Sequence, residues 1–306
     1  MKTFSAWWVA VAIGLCACGS TGDDGTTLDG SATDATTGGD SPFGGNDSGP
    51  TDSGTGGDAC YAPVDMYIML DRSCSMGNDC NIGDTTTNTK WCHAVNALSG
   101  YFNSQSATGN AAALQFFPVT NHTAAMCTTG ATYDTPAAPT TPPAYTTLPT
   151  NGFDALLNAA TDNNPCVTPT EGAIRGLTKF TAANRRGGRV TIGMLVTDGD
   201  PVSCDTNLTD LSNLLQAHYA ATTIRTYVIG MQGANDANLE KIAQGGNAPL
   251  HPDTVGSLTG ACGSTPSPCR HWNVGLGNPQ AFIAALAAIQ DSANGCADGG
   301  GTINPN

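Results

Sequence analysis

The chain has 306 residues, with 11 Lys and Arg against 25 Asp and Glu, for a formal net charge of −14. Only 12% of residues are charged and no basic surface is available to neutralise phosphates, which argues against DNA or RNA as a partner. Twelve cysteines point to an oxidising compartment or several metal clusters, and beyond residue 18 no apolar run is long enough for a bilayer span, so a multi-pass membrane protein is excluded.

The chain opens with the pattern of an export signal. Lys2 supplies a positive n-region and Ala6 to Leu15 an apolar run of h-region length. The following Leu15-Cys16-Ala17-Cys18-Gly19 resembles a bacterial lipobox, with Ala17 as the small residue before the lipidated Cys18. Residues 1–17 are then a lipoprotein signal peptide; a plain secretory signal cut near the same place is the alternative. From Gly19 to Ala59 there are 12 Gly and 8 Asp, no Lys or Arg, and one aromatic residue, Phe43. Such a segment cannot bury enough apolar surface to offset the entropy of ordering, so 18–59 is expected to be a disordered tether with a root-mean-square span of about 35 Å. It carries −8 of the net charge, so the acidity describes the linker more than the folded part.

A domain is expected over 60–296, followed by a disordered tail, 297–306. Val64 to Leu70 is a short apolar run of strand length, and Lys90 to Phe102 places Trp91, Val95, Leu98 and Phe102 at helical spacing. Ala111 to Val119 reads as a second strand. Thr120 to Asn151, rich in Thr, Pro and Ala, reads as loop with at most a short strand. Glu171 to Ala183 is helical, Val190 to Val196 a buried strand, Leu208 to Tyr219 a helix and Ile224 to Ile229 a strand. Leu239 to Ala243 and Ala281 to Ile289 look helical. Strands alternating with helices predict an α/β fold, a doubly wound and mostly parallel sheet flanked by helices, which binds ligands beyond the carboxyl ends of its strands.

Three segments meet that rule. The first strand runs into Asp71-Arg72-Ser73-Cys74-Ser75, the strand at 190–196 runs into Thr197-Asp198-Gly199-Asp200, and Thr168-Pro169-Thr170-Glu171-Gly172 precedes a helix between them. Carboxylates and hydroxyls are hard oxygen donors that suit Mg²⁺, with Mn²⁺ or Ca²⁺ as alternatives. With two acidic groups the ion is roughly neutralised and can accept a further carboxylate from outside. The set resembles the metal-ion-dependent adhesion site of von Willebrand factor type A domains, whose Asp-x-Ser-x-Ser, middle-loop Thr and Asp-Gly are matched here by Asp71, Ser73, Ser75, Thr168 and Asp198. The resemblance covers about Ala62 to Gln290 and includes the Lys90-Trp91 helix start and the Gln115-Phe116-Phe117-Pro118 strand of bacterial extracellular members. Cys74 stands where many bacterial relatives have Gly, which predicts a crosslinked loop, and Asp200 competes with Asp198 as the ligand.

Ten cysteines lie in the domain: Cys60, Cys74, Cys80, Cys92, Cys127, Cys166, Cys204, Cys262, Cys269 and Cys296. Their even number in an exported chain argues for about five disulfides, with connectivity open; the resemblance, which brings domain termini together, favours Cys60–Cys296. Bridges at Cys74 and Cys166 would pin the metal loops. Zinc would want closer cysteine pairs than Cys74/Cys80 or Cys262/Cys269. His93 and His218 read as surface or cap residues, and Arg185-Arg186-Gly187-Gly188-Arg189 as a solvated loop. No HExxH, G-x-S-x-G or phosphate-binding glycine loop is present, and no catalytic set emerges. The expectation is a non-enzymatic binding or adhesion module, lipid-anchored in the cell envelope, that recognises an acidic side chain on a protein partner. A metal-dependent hydrolase and a structural lipoprotein with a purely structural ion are the rivals.

Overall fold

The central strand β1 (Val64–Asp71) is buried along its whole length, and its alternate residues enter two different cores. Val64, Met66, Ile68 and Leu70 face one layer, while Tyr67 and Met69 face the other. A strand buried on both faces needs helices on both sides. The computed structural model describes residues 62–77, 80–160, 166–275 and 279–294, all within one unit, 56–306. The signal peptide, Cys18, the tether and the proposed Cys60–Cys296 bridge lie outside the described residues.

After β1 come α1 (Lys90–Phe102), β2 (Ala111–Phe117), α2 (Ala124–Thr129), β3 (Thr146–Thr147) and α3 (Asp154–Ala159). Then follow α4 (Thr170–Ala183), β4 (Val190–Thr197), α5 (Leu208–Thr222), β5 (Arg225–Met231) and α6 (Asp236–Gly245). A small hairpin, β6 (Thr254–Val255) and β7 (Leu258–Thr259), leads to β8 (Trp272–Gly275) and α7 (Pro279–Ala293). The sheet order is β3-β2-β1-β4-β5-β8, parallel throughout except for the antiparallel edge strand β3. One core packs Trp91, Leu98 and Phe102 of α1 with Phe153, Phe282 and Leu286; the other packs Ile174, Leu177 and Phe180 of α4 with Leu211, Leu215 and Ile242. Among the described residues no helix is long and apolar enough to cross a membrane.

Several boundaries differ from expectation. Strand β2 ends at Phe117, because Pro118 has no N–H to continue the ladder. The stretch 120–151, expected as loop, contains α2. Helix α6 begins at Asp236, earlier than its apolar spacing indicates, because the Asn235 side chain caps it by accepting from the Asn238 N–H. The arginine loop is not simply solvated: Arg186 and Arg189 both pair with the carboxylate of Asp65, which is buried in β1 and needs cationic partners. Nor is His218 a surface residue. It is buried between α5 and α4, 3.1 Å from the Thr181 hydroxyl, and burial lowers its pKa to about 4.

Four disulfides join described cysteines: Cys74–Cys166, Cys80–Cys92, Cys127–Cys204 and Cys262–Cys269. The first links the loop after β1 to the loop before α4. The third links α2 to the loop after β4.

Candidate metal centre

Strands β1 and β4 are in register, with Leu70 opposite Val196, so their carboxyl ends finish level. That places Asp71 beside the Thr197-Asp198 step. The Asp71 carboxylate accepts the Ser73 N–H at 2.8 Å, closing a local turn of the kind aspartates form with the backbone two residues on. Its other oxygen accepts the Thr197 hydroxyl at 2.6 Å. The turn brings the Ser73 and Ser75 hydroxyls to 3.0 Å from each other, and Ser75 donates to Asp198 Oδ1 at 2.9 Å. Asp71, Ser73, Ser75 and Asp198, separated by up to 127 positions in sequence, thus form one hydrogen-bonded cluster. Asp71, Ser73 and Asp198 are buried and Ser75 is exposed, so the cluster reaches the surface at Ser75.

Thr168 is brought to the same edge by its surroundings. The Cys74–Cys166 bridge joins its loop to the serine loop, and its carbonyl accepts the Val202 N–H at 3.2 Å, joining it to the loop after β4. The side chain is buried. Of the two competing carboxylates, Asp198 hydrogen-bonds to Ser75 within the cluster, whereas Asp200 is exposed and its Oδ1 accepts from Asn238 of α6. Sequence reasoning missed two participants. Thr197 orients Asp71, and Lys90, the first residue of α1, sets its ammonium 2.5 Å from Asp198 Oδ2. A lysine in the first turn of a helix, where the helix dipole disfavours a cation, is the signal that could have revealed a partner for it.

Burial pushes the Asp71 carboxyl up to about 7, against the hydrogen bonds from Thr197 and Ser73, and the charge of Asp198 adds to the rise. A carboxylate in this position is stabilised by any cation placed near it. The donors are all oxygens, two from carboxylates and the rest from hydroxyls, which is the composition that suits a hard divalent ion. Asp71 orients on the backbone and on Thr197, and Asp198 on Ser75 and Lys90, so both carboxylates are held by partners of their own.

The sheet order, the helices on both faces and three loops converging on one edge define the architecture. This is the doubly wound, mostly parallel sheet flanked by helices that the sequence predicts. No family model matches the chain, and no curated protein matches it. Among solved structures it is similar to proximal thread matrix protein 1 from the mussel byssus, at 15% identity and a TM-score of 0.46, over 77% of this chain and 49% of that one. A structure of the same mussel protein with a zinc-occupied MIDAS motif gives 14% identity and a TM-score of 0.47 over the same shares. The chain therefore spans about half the length of the solved structures it matches.

Proposed function

We propose that this protein is a binding module that recognises an acidic side chain of a protein partner through a divalent cation. The observation that supports the reading is the hydrogen-bonded cluster of two buried carboxylates and two serine hydroxyls where β1 and β4 end together. Asp71 and Asp198 would offset the charge of the ion, and Ser73, Ser75 and Thr168 would supply neutral oxygens. A bound ion of this class supplies an electrophilic centre with room for one outside carboxylate. All-oxygen donors favour Mg²⁺ or Mn²⁺; the zinc named for the mussel protein belongs to that protein. On this reading the serines serve as ligands, since their hydroxyls already hydrogen-bond each other and Asp198. Lipidation at Cys18 and the 18–59 tether would hold the domain off a membrane of the cell envelope.

Calorimetry on the full chain tests the metal part. Mg²⁺ and Mn²⁺ should bind the wild type, and the D71A/D198A double variant should show no binding; undiminished binding in that variant would move the site elsewhere. A pull-down from an envelope extract, with and without chelator, tests the partner. Capture that survives chelation removes the metal from recognition.

A further inference from the structure

Lys90 stands where a cation is already served. Its ammonium pairs with Asp198 Oδ2, while Ser75 holds Oδ1, so both oxygens of a proposed ligand are engaged by the protein itself. The Asp198 side chain is fully shielded from solvent, so this ion pair is not a loose surface contact. The lysine sits in the first turn of α1, behind the Thr89 cap, where the helix dipole opposes a positive charge. Its placement violates a local preference that the pairing with Asp198 offsets, which is the kind of conflict that marks functional positions.

The surroundings are shaped for the ammonium. Gly233, in the turn after β5, has φ +95°, and a Cβ added there would lie 3.3 Å from Lys90 Nζ. A side chain at that position would crowd the lysine, and its backbone conformation is one that glycine adopts without strain. The same added Cβ would lie 3.8 Å from the Asp198 backbone oxygen, so the turn after β5 passes beside both partners of the ion pair.

We infer that Lys90 is a built-in counter-cation that competes with the divalent ion for Asp198 and so sets the metal affinity of the site. This rests on the metal reading above. With both carboxyls ionised, Asp71 and Asp198 carry two negative charges, and Lys90 leaves the cluster with one. A divalent ion entering beside the lysine meets like charge and must share Asp198, or must displace the ammonium from it; either route weakens binding. With ion and lysine both present, the cluster carries one positive charge, which suits an acidic partner better than a neutral site does.

The test is calorimetric titration of the full chain with MnCl₂ and MgCl₂, comparing wild type, K90Q and K90R. Lys90 is partly exposed at a helix end, and the glutamine can still donate to Asp198, so K90Q should fold; far-UV circular dichroism checks this. K90Q should bind at least tenfold more tightly, and K90R, which keeps the charge, should stay within about threefold of wild type. Equal or weaker binding by a folded K90Q overturns the inference and leaves the metal site standing. Absence of saturable binding in both wild type and K90Q removes the metal reading, and this inference with it. Tighter binding in both K90Q and K90R would assign the effect to side-chain shape and overturn the role given to the charge.

Discussion

The buried carboxyl of Asp71 makes the metal-free protein sensitive to pH in an unusual direction. Burial raises its folded pKa to about 7, against roughly 3.9 in an unfolded chain. A group raised in this way contributes stability that is complete below about pH 4 and is lost as pH rises through 7. The difference of about three pH units corresponds to on the order of 4 kcal/mol. For a domain of this length that is roughly a 10 °C change in Tm. In EDTA, the wild-type melting temperature should therefore fall between pH 5 and pH 8 relative to that of D71N, which keeps the hydrogen-bonding shape without the charge. Adding Mg²⁺ at about a hundred times its Kd should return roughly 2.7 kcal/mol to the wild type at pH 8. D71N should gain far less. Thermal unfolding of both proteins over that pH range, with and without metal, is the assay. If the two proteins follow parallel curves in EDTA, Asp71 is not the source of the dependence and the account of its burial fails.

Further expectations follow from other parts of the molecule. Glu240, which burial alone would raise, is held at about 2 by hydrogen bonds from the His271 ring, the Arg270 N–H and the His271 N–H. Its contribution is present above about pH 4.5 and lost as pH falls towards 2, so acid titration of E240Q by circular dichroism should show a shallower loss, worth on the order of 2–3 kcal/mol; an unchanged slope would exclude it. Thiol counting on denatured, unreduced mature protein should find the eight cysteines of the four bridges blocked. The C74S/C166S pair, which opens a 92-residue separation, should cost about 4–5 kcal/mol in denaturant unfolding and weaken metal binding, and no loss of either would set the bridge aside as a support of the site. C18S should move the protein from the membrane fraction to the soluble one, and retention after a high-salt wash would contradict lipidation there.

What was legible in the sequence was whatever leaves a periodic or local trace. Strands β1 and β4 are continuous apolar runs because both faces are covered, and α1 was readable to the residue because Trp91, Val95, Leu98 and Phe102 mark its buried side. The ligand candidates were readable because Asp71, Ser73 and Ser75 are adjacent in sequence and follow a recognisable strand. Pairings across the fold left no such trace. The partners of Cys74 and Cys166 lie 92 positions apart, and nothing local distinguishes that pairing from others. Asp65 sits in a strand that reads as apolar, so its need for Arg186 and Arg189 was hidden, and the arginines looked solvated. The edge strand β8, four residues long after an irregular excursion, was too short to announce itself. His218 was assigned to the right helix but to the wrong face, since α5 has a weakly segregated apolar side and Thr181 lies on another element.

The bridge between Cys74 and Cys166 holds two loops of the centre with their Cα atoms 4.9 Å apart, and both sulfurs belong to exposed residues. The entropic cost of bringing those loops together is met once, when the chain oxidises and folds, and is not charged again each time an ion or a partner arrives. Recognition should then show a small ordering term and little loop rearrangement, with dissociation governed by the contacts at the ion. The same exposure gives the environment a handle: a thiol that reaches this bridge would return the ordering cost to every binding event. Its effect would be graded loosening of grip, with both hydrophobic cores and the sheet left standing.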